Sequence, residues 1–370
     1  MKVQIIYCYK AVLLLSLTFL SCLPAHGQIK RNKLLVKPFQ NSVFIEEKGQ
    51  FARNAKQENI PFSEPVFYGI ENAEFNAYFT ANGIVFQFPE RKELPARKEK
   101  EREEKRKGEK KEKDEKSIET IWHTASMTWL NSSPTVEIVA SEKATGYYNY
   151  DSYTNSENKR YDFVPAYKKL KYINLYPGVD VEFDLPDEGG IKYKIIVQPN
   201  VVVPVIAFQW NSIEKINIDE KGNLQLKSKH KAFGTQSPWS ISDHAPTAFS
   251  SVTHTEIPVK YNLQNNKVVF KFSDDVISSI EGITIDPWIT NTSFPDLNRA
   301  FDIQEDSLGN IFVIGNHSNW QVQKYDSTGI LQWTYVTYAT LMGDIAVDNP
   351  GNVYIIGGYP AGKRQKLDSA

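Results

Sequence analysis

Cysteine is almost absent from this 370-residue chain: there are two, Cys8 and Cys22, and none follows residue 22. Beyond that point no disulfide, no Cys-ligated zinc and no cysteine nucleophile can form. Long apolar runs are equally scarce. The only one, Ala11-Val-Leu-Leu-Leu-Ser-Leu-Thr-Phe-Leu-Ser-Cys-Leu23, falls short of the ~20 residues a transmembrane helix needs, and no later run approaches that length. An excess of one charge is missing too. The 43 Lys and Arg and the 44 Asp and Glu leave a net charge of −1, so no nucleic acid or anionic membrane is expected as partner.

Chemistry-bearing motifs are few as well. No Gly-rich phosphate loop follows a strand. His123, His230, His244, His254 and His317 show no H-E-x-x-H or other close ligand spacing, and they read as surface or partly buried side chains rather than metal ligands. Asp243-His244 with nearby Ser242 is not a triad, because nothing marks a nucleophile elbow. Paired-carboxylate hydrolysis depends on a separation in space that sequence spacing does not encode, so that reaction class stays open. No catalytic, cofactor-binding or metal-binding residue is assigned, and no cofactor is expected.

What is present begins with a leader. Lys2 and Lys10 flank the approach to the apolar run, which ends at Ala25-His-Gly27, a small-x-small cleavage signal. Residues 1–27 therefore read as a signal peptide, and the exported chain is expected to begin at Gln28. A second reading, a lipoprotein acylated at Cys22, rests on Phe19-Leu-Ser-Cys22, which has Phe where Leu is usual. The expected location is secreted or on the outer cell surface.

From Arg91 to Lys116 the chain holds 13 basic and 9 acidic residues and, beyond Ala96, no apolar side chain. It cannot bury a face, so residues 91–117 are expected as a solvated insert between two strands, disordered or frayed helical. A basic contact for anionic surface polymers is the alternative. Its mixed signs argue against a nucleic-acid arm, since neighbouring carboxylates compete with phosphate for the same Lys and Arg.

The rest is aromatic and β-branched, cut by Gly, Pro, Asn and Asp turns. Runs such as Gly83-Ile-Val-Phe-Gln-Phe88, Val179–Leu185, Ile191–Val197 and Val268–Phe272 read as strands, and Thr80-Ala-Asn-Gly83 as a hairpin turn. Strands are also expected at Thr120–Trp122 and, separately, at Met127–Trp129. The fold class is all-β: a sandwich-like domain over 28–290, then repeats over 298–370.

Those repeats are explicit. Asp302-Ile-Gln-Glu-Asp-Ser-Leu-Gly-Asn-Ile-Phe-Val-Ile-Gly315 returns 42 residues later as Asp344-Ile-Ala-Val-Asp-Asn-Pro-Gly-Asn-Val-Tyr-Ile-Ile-Gly357. Gln323-Lys-Tyr-Asp-Ser327 and Gln365-Lys-Leu-Asp-Ser369 keep the same offset. A period near 40 residues with short strands is that of a β-propeller blade, and about two blades are legible. The second reaches Ala370 before its fourth strand, so an incomplete propeller from a longer gene product is expected, with exposed edges that favour self-association. In the repeats, Phe312 and Ile314 should face one side of the sheet and Val313 the other. Asp306-Ser-Leu-Gly-Asn310 and Asp348-Asn-Pro-Gly-Asn352 invite a calcium reading but lack the carboxylate density of a Ca²⁺ loop; an Asp bonding its own turn explains them.

Four segments occur in a telling order: Phe44-Ile-Glu-Glu-Lys-Gly-Gln50, Tyr148-Asn-Tyr150, Tyr172-Ile-Asn-Leu-Tyr-Pro-Gly-Val-Asp180 after Tyr167, and Ile283-Thr-Ile-Asp-Pro287. Together they resemble the uncharacterised domain that precedes SBBP-type β-propeller repeats in large secreted proteins, chiefly of Bacteroidota, over about residues 41–290. Pro199-Asn-Val-Val202 and Pro238-Trp-Ser-Ile241 depart from that family's usual loops. The resemblance implies an exported surface protein and no known catalytic residues. Within Tyr176-Pro-Gly-Val-Asp180, a type II turn explains the residues better than a binding loop. The function expected is a non-enzymatic binding or scaffold protein with a protein or glycan partner. The alternative is a secreted carbohydrate-active enzyme or its glycan-binding subunit.

Overall fold

The computed structural model describes residues 43–51, 64–71, 75–93, 118–153, 158–186, 189–231, 238–273, 278–279, 281–291, 300–315, 320–337, 342–357 and 363–367. The expected leader with Cys8 and Cys22, residues 94–117 of the charged insert, and His317 lie outside them. The all-β expectation holds. Among the described residues only Gln50 and Phe51 take helical geometry.

The first strands are β1 (Phe44–Glu46), β2 (Val66–Glu71), β3 (Asn76–Thr80), β4 (Gly83–Glu93), β5 (Ile118–Trp129) and β6 (Glu137–Lys143). β4 extends three residues into the stretch expected as insert, and it pairs with β5 without interruption from Gly83↔Thr128 to Glu93↔Ile118. The two strands expected at 120–122 and 127–129 are thus one. Thr124 and Ser126 hide this in sequence, because alternation turns Ala125, Met127 and Trp129 inward and leaves polar residues between them.

Next come β7 (Tyr147–Tyr153), β8 (Asn158–Val164), β9 (Ala166–Tyr176), β10 (Val179–Asp184), β11 (Ile191–Val197), β12 (Val201–Val202), β13 (Ala207–Asn211), β14 (Lys215–Ile218) and β15 (Leu224–Lys231). They are followed by β16 (Pro238–Asp243), β17 (Ala248–Ser250), β18 (Val259–Gln264), β19 (Lys267–Phe272), β20 (Ser278–Ser279), β21 (Ile283–Ile285) and β22 (Trp288–Asn291). The repeats supply β23 (Ala300–Glu305), β24 (Ile311–Gly315), β25 (Trp320–Tyr325), β26 (Leu331–Thr337), β27 (Met342–Val347), β28 (Val353–Gly357) and β29 (Lys363–Leu367).

The sandwich-like layers take the form of one large antiparallel sheet curled nearly closed, so that opposite walls share a core. Its wall runs β14-β15-β16-β22-β11-β10-β9-β1-β2-β3-β4-β5-β13-β19-β18, with β6 added on β9 and β21 joining β11 to β17. The strands β14 and β18 end this run, and no ladder links them among the described residues; an open cleft of about 480 Å³ lies there, lined by both. The core follows from period-2 patterning: in β11, Ile191, Tyr193, Ile195 and Val197 are all fully buried, with partly exposed residues between them. Aromatic rings fill the interior. Phe79 meets Phe44 edge-on at 5.2 Å and Phe183 at 5.3 Å, and Phe88 stacks on Trp239 at 3.9 Å.

The repeats form two further sheets, the first of which also takes in β7 and β8. β23–β25 and β27–β29 match in register by the 42-residue offset, and residues from both sheets build one core: Phe312, Ile314, Trp333 and Tyr335 against Ile345, Val353, Ile355 and Leu367. Val313 joins Tyr325 on the opposite face, as the alternation requires. Between the sheets, Ile345 N–H donates to Asp302 Oδ2 at 3.3 Å and Ser307 Oγ donates to the Asn349 carbonyl at 3.3 Å.

Candidate functional site

The sheet of the first repeat does not stop at β26. It continues into the preceding domain: β26 pairs in parallel with β7 from Trp333↔Tyr147 to Thr337↔Asp151, and β7 pairs with β8, giving the order β23-β24-β25-β26-β7-β8. Parallel neighbours need a long crossover, and here 177 residues of chain separate the end of β7 at Tyr153 from the start of β26 at Leu331. The close approach needs Gly146, which sits at φ +83°; a Cβ there would lie 2.6 Å from the Gln332 carbonyl oxygen.

Alternation along β7 then splits its aromatic residues between two cores. Tyr147 packs on the inter-repeat core, while Tyr148 and Tyr150 bury against the outside of the barrel wall with Val43, Ile45, Phe51, Val66 and Tyr78. Tyr150 OH donates to Glu71 Oε2 at 3.1 Å, and its ring lies 5.9 Å from Phe51. Phe51 is held by the segment before it: its N–H donates to Glu47 Oε2, and Gln50 Nε2 donates to the Glu46 carbonyl. Gly69 leaves room for its ring, since a Cβ there would fall 2.6 Å from Phe51. Two of the four segments behind the family resemblance therefore meet at this junction.

At the outer rim, β8 carries a bulge at which Phe163 takes φ +55°, a sparsely populated conformation for a bulky residue. Asn149 Oδ1 accepts its N–H at 2.9 Å, and the ring, 64 % exposed, lies 4.8 Å from Tyr147. Phe163, Tyr147, Arg160, Asp162 and Trp333 line a notch of about 80 Å³, far below the ~300 Å³ at which small-molecule pockets begin.

The fold also brings together residues that sequence spacing keeps apart. Glu90 on β4, His123 on β5 and His230 on β15 converge at one place, with donor atoms all within 4.8 Å of one another. His123 Nε2 lies 2.6 Å and His230 Nδ1 3.7 Å from Glu90 Oε2, and the two rings stack at 3.5 Å and 12°. Burial, and then the neighbouring His123, push the His230 pKa down, so its imidazole is disposed to stay neutral. The available signal was the strand pairing: the Phe88↔His123 register sets His123 diagonal to Glu90 on one face, but the third member comes from more than 100 residues away.

Other residues considered from sequence stay apart. Asp243 points into the core, where Tyr193 OH donates to its Oδ2 at 2.9 Å, and burial raises its pKa to about 7. Its neighbour His244 points the opposite way, stacked near Trp288 with Nε2 3.0 Å from Thr290 Oγ1, because successive strand residues face opposite sides. Ser242 accepts from Gln225 Nε2, so these three form no triad. His254 lies 5.8 Å from Phe249. Asp180 accepts the Asn174 N–H at 2.8 Å and pairs with Lys171 at 3.1 Å, and Gly178 takes φ +74°: the segment is a hairpin turn tied by its own carboxylate.

The Asp loops spend their carboxylates internally. Asp306 accepts from the N–H groups of Leu308 and Asn310 and from the Asn310 side chain, and Asp348 makes the matching bonds to Asn352. Asp219-Glu-Lys-Gly-Asn223 in the barrel wall repeats the device, and there the Asn223 side-chain amide holds the Asp219 carboxyl down to about 2.

By fold, this is an all-β protein with a nearly closed barrel wall that lends two strands to a repeat sheet. The chain belongs to the family described as Domain of unknown function (DUF7948), whose model matches residues 44–288. The match ends at Trp288 in β22, so the strands β23–β29 lie beyond it. Neither a curated protein nor a solved structure matches the chain.

Proposed function

We propose that this chain is an exported, non-enzymatic scaffold protein of the cell surface, in which the 44–288 domain is the foundation from which a β-propeller-type repeat array is built. The observation that carries the reading is the parallel pairing of β26 with β7. An open strand edge is a template for uncontrolled pairing, and supplying two strands in cis satisfies the fourth strand of the first repeat before any later repeat is considered. The 42-residue offset and the face-to-face core support blades of the SBBP type, and the leader-like residues 1–27 support export. A secreted Bacteroidota surface protein fits all of these features.

A scaffold role also fits the electrostatics. Among the described residues, the carboxyl most displaced upward, Asp243, is fully enclosed, where no substrate can reach it. The aromatic notch at Phe163 has the volume of a side chain rather than a sugar ring, which favours a protein partner over a glycan. Hydrogen exchange on the full chain tests the foundation role. Gly146→Val should strip protection from β24–β26 while β9–β11 stay protected, and unchanged protection in β24–β26 would refute it. N-terminal sequencing of the cell-derived protein tests export: a start at Gln28 supports it, and an unprocessed Met1 opposes it.

A further inference from the structure

We infer that Glu90, His123 and His230 form a binding site for one divalent transition-metal ion, zinc by its donor set, that ties the β4–β5 ribbon to β15. The three side chains come from three strands, and β15 is not hydrogen-bonded to β4 or β5. Two imidazole nitrogens and one carboxylate oxygen suit zinc and its neighbours in the first transition row, and they do not suit Ca²⁺ or Mg²⁺, which take oxygen ligands.

The two carboxylate-to-imidazole spacings bracket the value an ion would set. Ligands about 2.0–2.1 Å from a tetrahedral ion lie roughly 3.3 Å apart, against 2.6 Å and 3.7 Å for Glu90 Oε2 to His123 Nε2 and to His230 Nδ1. Reaching that geometry also requires the two imidazoles, now stacked at 3.5 Å and 12°, to rotate so that their in-plane lone pairs converge on one ion. The site is partly sheltered, with side-chain exposures of 25 %, 15 % and 34 % for Glu90, His123 and His230. Beneath it, the Phe88–Trp239 stack provides an apolar floor two residues from Glu90. One coordination position is left for water on the solvent side, as in three-ligand zinc centres. Glu90 lies three residues before the end of β4 at Glu93, so an ion here would fasten the outer part of the β4–β5 ladder to β15.

The experiment is zinc titration by calorimetry on the full chain, carrying no histidine tag and cleared of metal with EDTA, together with Co²⁺ absorption to report tetrahedral nitrogen and oxygen ligation. One ion per chain is expected, with a Tm that rises on zinc addition and a tetrahedral Co²⁺ spectrum. The variants His123→Ala and His230→Ala should each weaken zinc by more than about 10-fold. Glu90→Gln, which keeps shape and hydrogen bonding, should also weaken binding while leaving the metal-free Tm unchanged, and it serves if an Ala variant fails to fold. No binding to the wild-type chain would overturn the proposal. So would affinity unchanged in Glu90→Gln and in the histidine variants, which would assign the ion to His244, His254 or another group.

Discussion

Asp243→Asn should gain stability over the wild type at pH 8, by an amount that vanishes in acid. The carboxyl is fully buried on β16, one oxygen accepts from Tyr193 OH, and the other, Oδ1, has no hydrogen-bond partner. Tyr193 and Tyr261 face it from β11 and β18, and burial raises both phenols well above their usual range, so they stay neutral across the pH interval that matters. Desolvation raises the Asp243 pKa from 3.8 to about 7, and three pKa units correspond to about 4 kcal/mol. Well below pH 3.8 the carboxyl is protonated in both the folded and unfolded chain, and its ionisation contributes nothing. Between pH 4 and 7 the unfolded chain ionises while the folded one keeps its proton, so stability falls as pH rises; above 7 the folded carboxylate is charged too and the loss is constant. An amide at this position has no such transition. Urea unfolding followed by tryptophan fluorescence at pH 4 and pH 8 measures the difference between variant and wild type at each pH. Between those two pH values that difference should move by about 4 kcal/mol in favour of the variant. A difference constant within about 1 kcal/mol would show that the carboxyl is not desolvated as its burial indicates.

Further substitutions probe the frame. In Gly83→Ala, the new Cβ would lie 1.9 Å from the Met127 carbonyl oxygen, so the β3–β4 hairpin must shift from β5; a loss of about 1–3 kcal/mol is expected in thermal unfolding, and an unchanged Tm would contradict it. Phe183→Ala removes a fully buried ring packed against Phe79, Tyr172 and Tyr193, and should cost about 3–5 kcal/mol by urea unfolding. Asp306→Ala and Asp348→Ala each break a carboxylate-tied turn and should lower the Tm, while added Ca²⁺ leaves the wild-type Tm unmoved because those carboxylates are already engaged. A calcium-dependent Tm lost in either variant would reverse that view.

Much of the chain's local structure was legible because strand alternation and turn chemistry act over a few residues. Ile191–Val197 reads as β11 directly from its buried alternate positions, and Phe312, Val313 and Ile314 fall on the faces that their order in the sequence dictates. The four family segments also have physical reasons. Gly49 at φ +114° lets Tyr161 approach, Tyr148 and Tyr150 seal the junction, Gly178 turns β9 into β10, and Asp286 pairs with Lys192 at 2.9 Å beside the central strand β11. The segments β7, β8 and β9 escaped prediction as strands because Asn, Asp, Lys and Arg interrupt them; their polar faces look like loop sequence until their partners are known.

By itself, the amino-acid sequence determined the fold class, the 42-residue repeat and the turns, all of which arise from contacts a few residues apart or from repetition of one pattern. Only the tertiary structure decided that β26 pairs with β7, that Glu90 and His123 meet His230, and that Asp243 is buried while His244 is not. Each of these depends on closing chain loops of tens to hundreds of residues. The free energy that selects such a closure is summed over the whole sheet and core, and no local pattern in the participating residues records it.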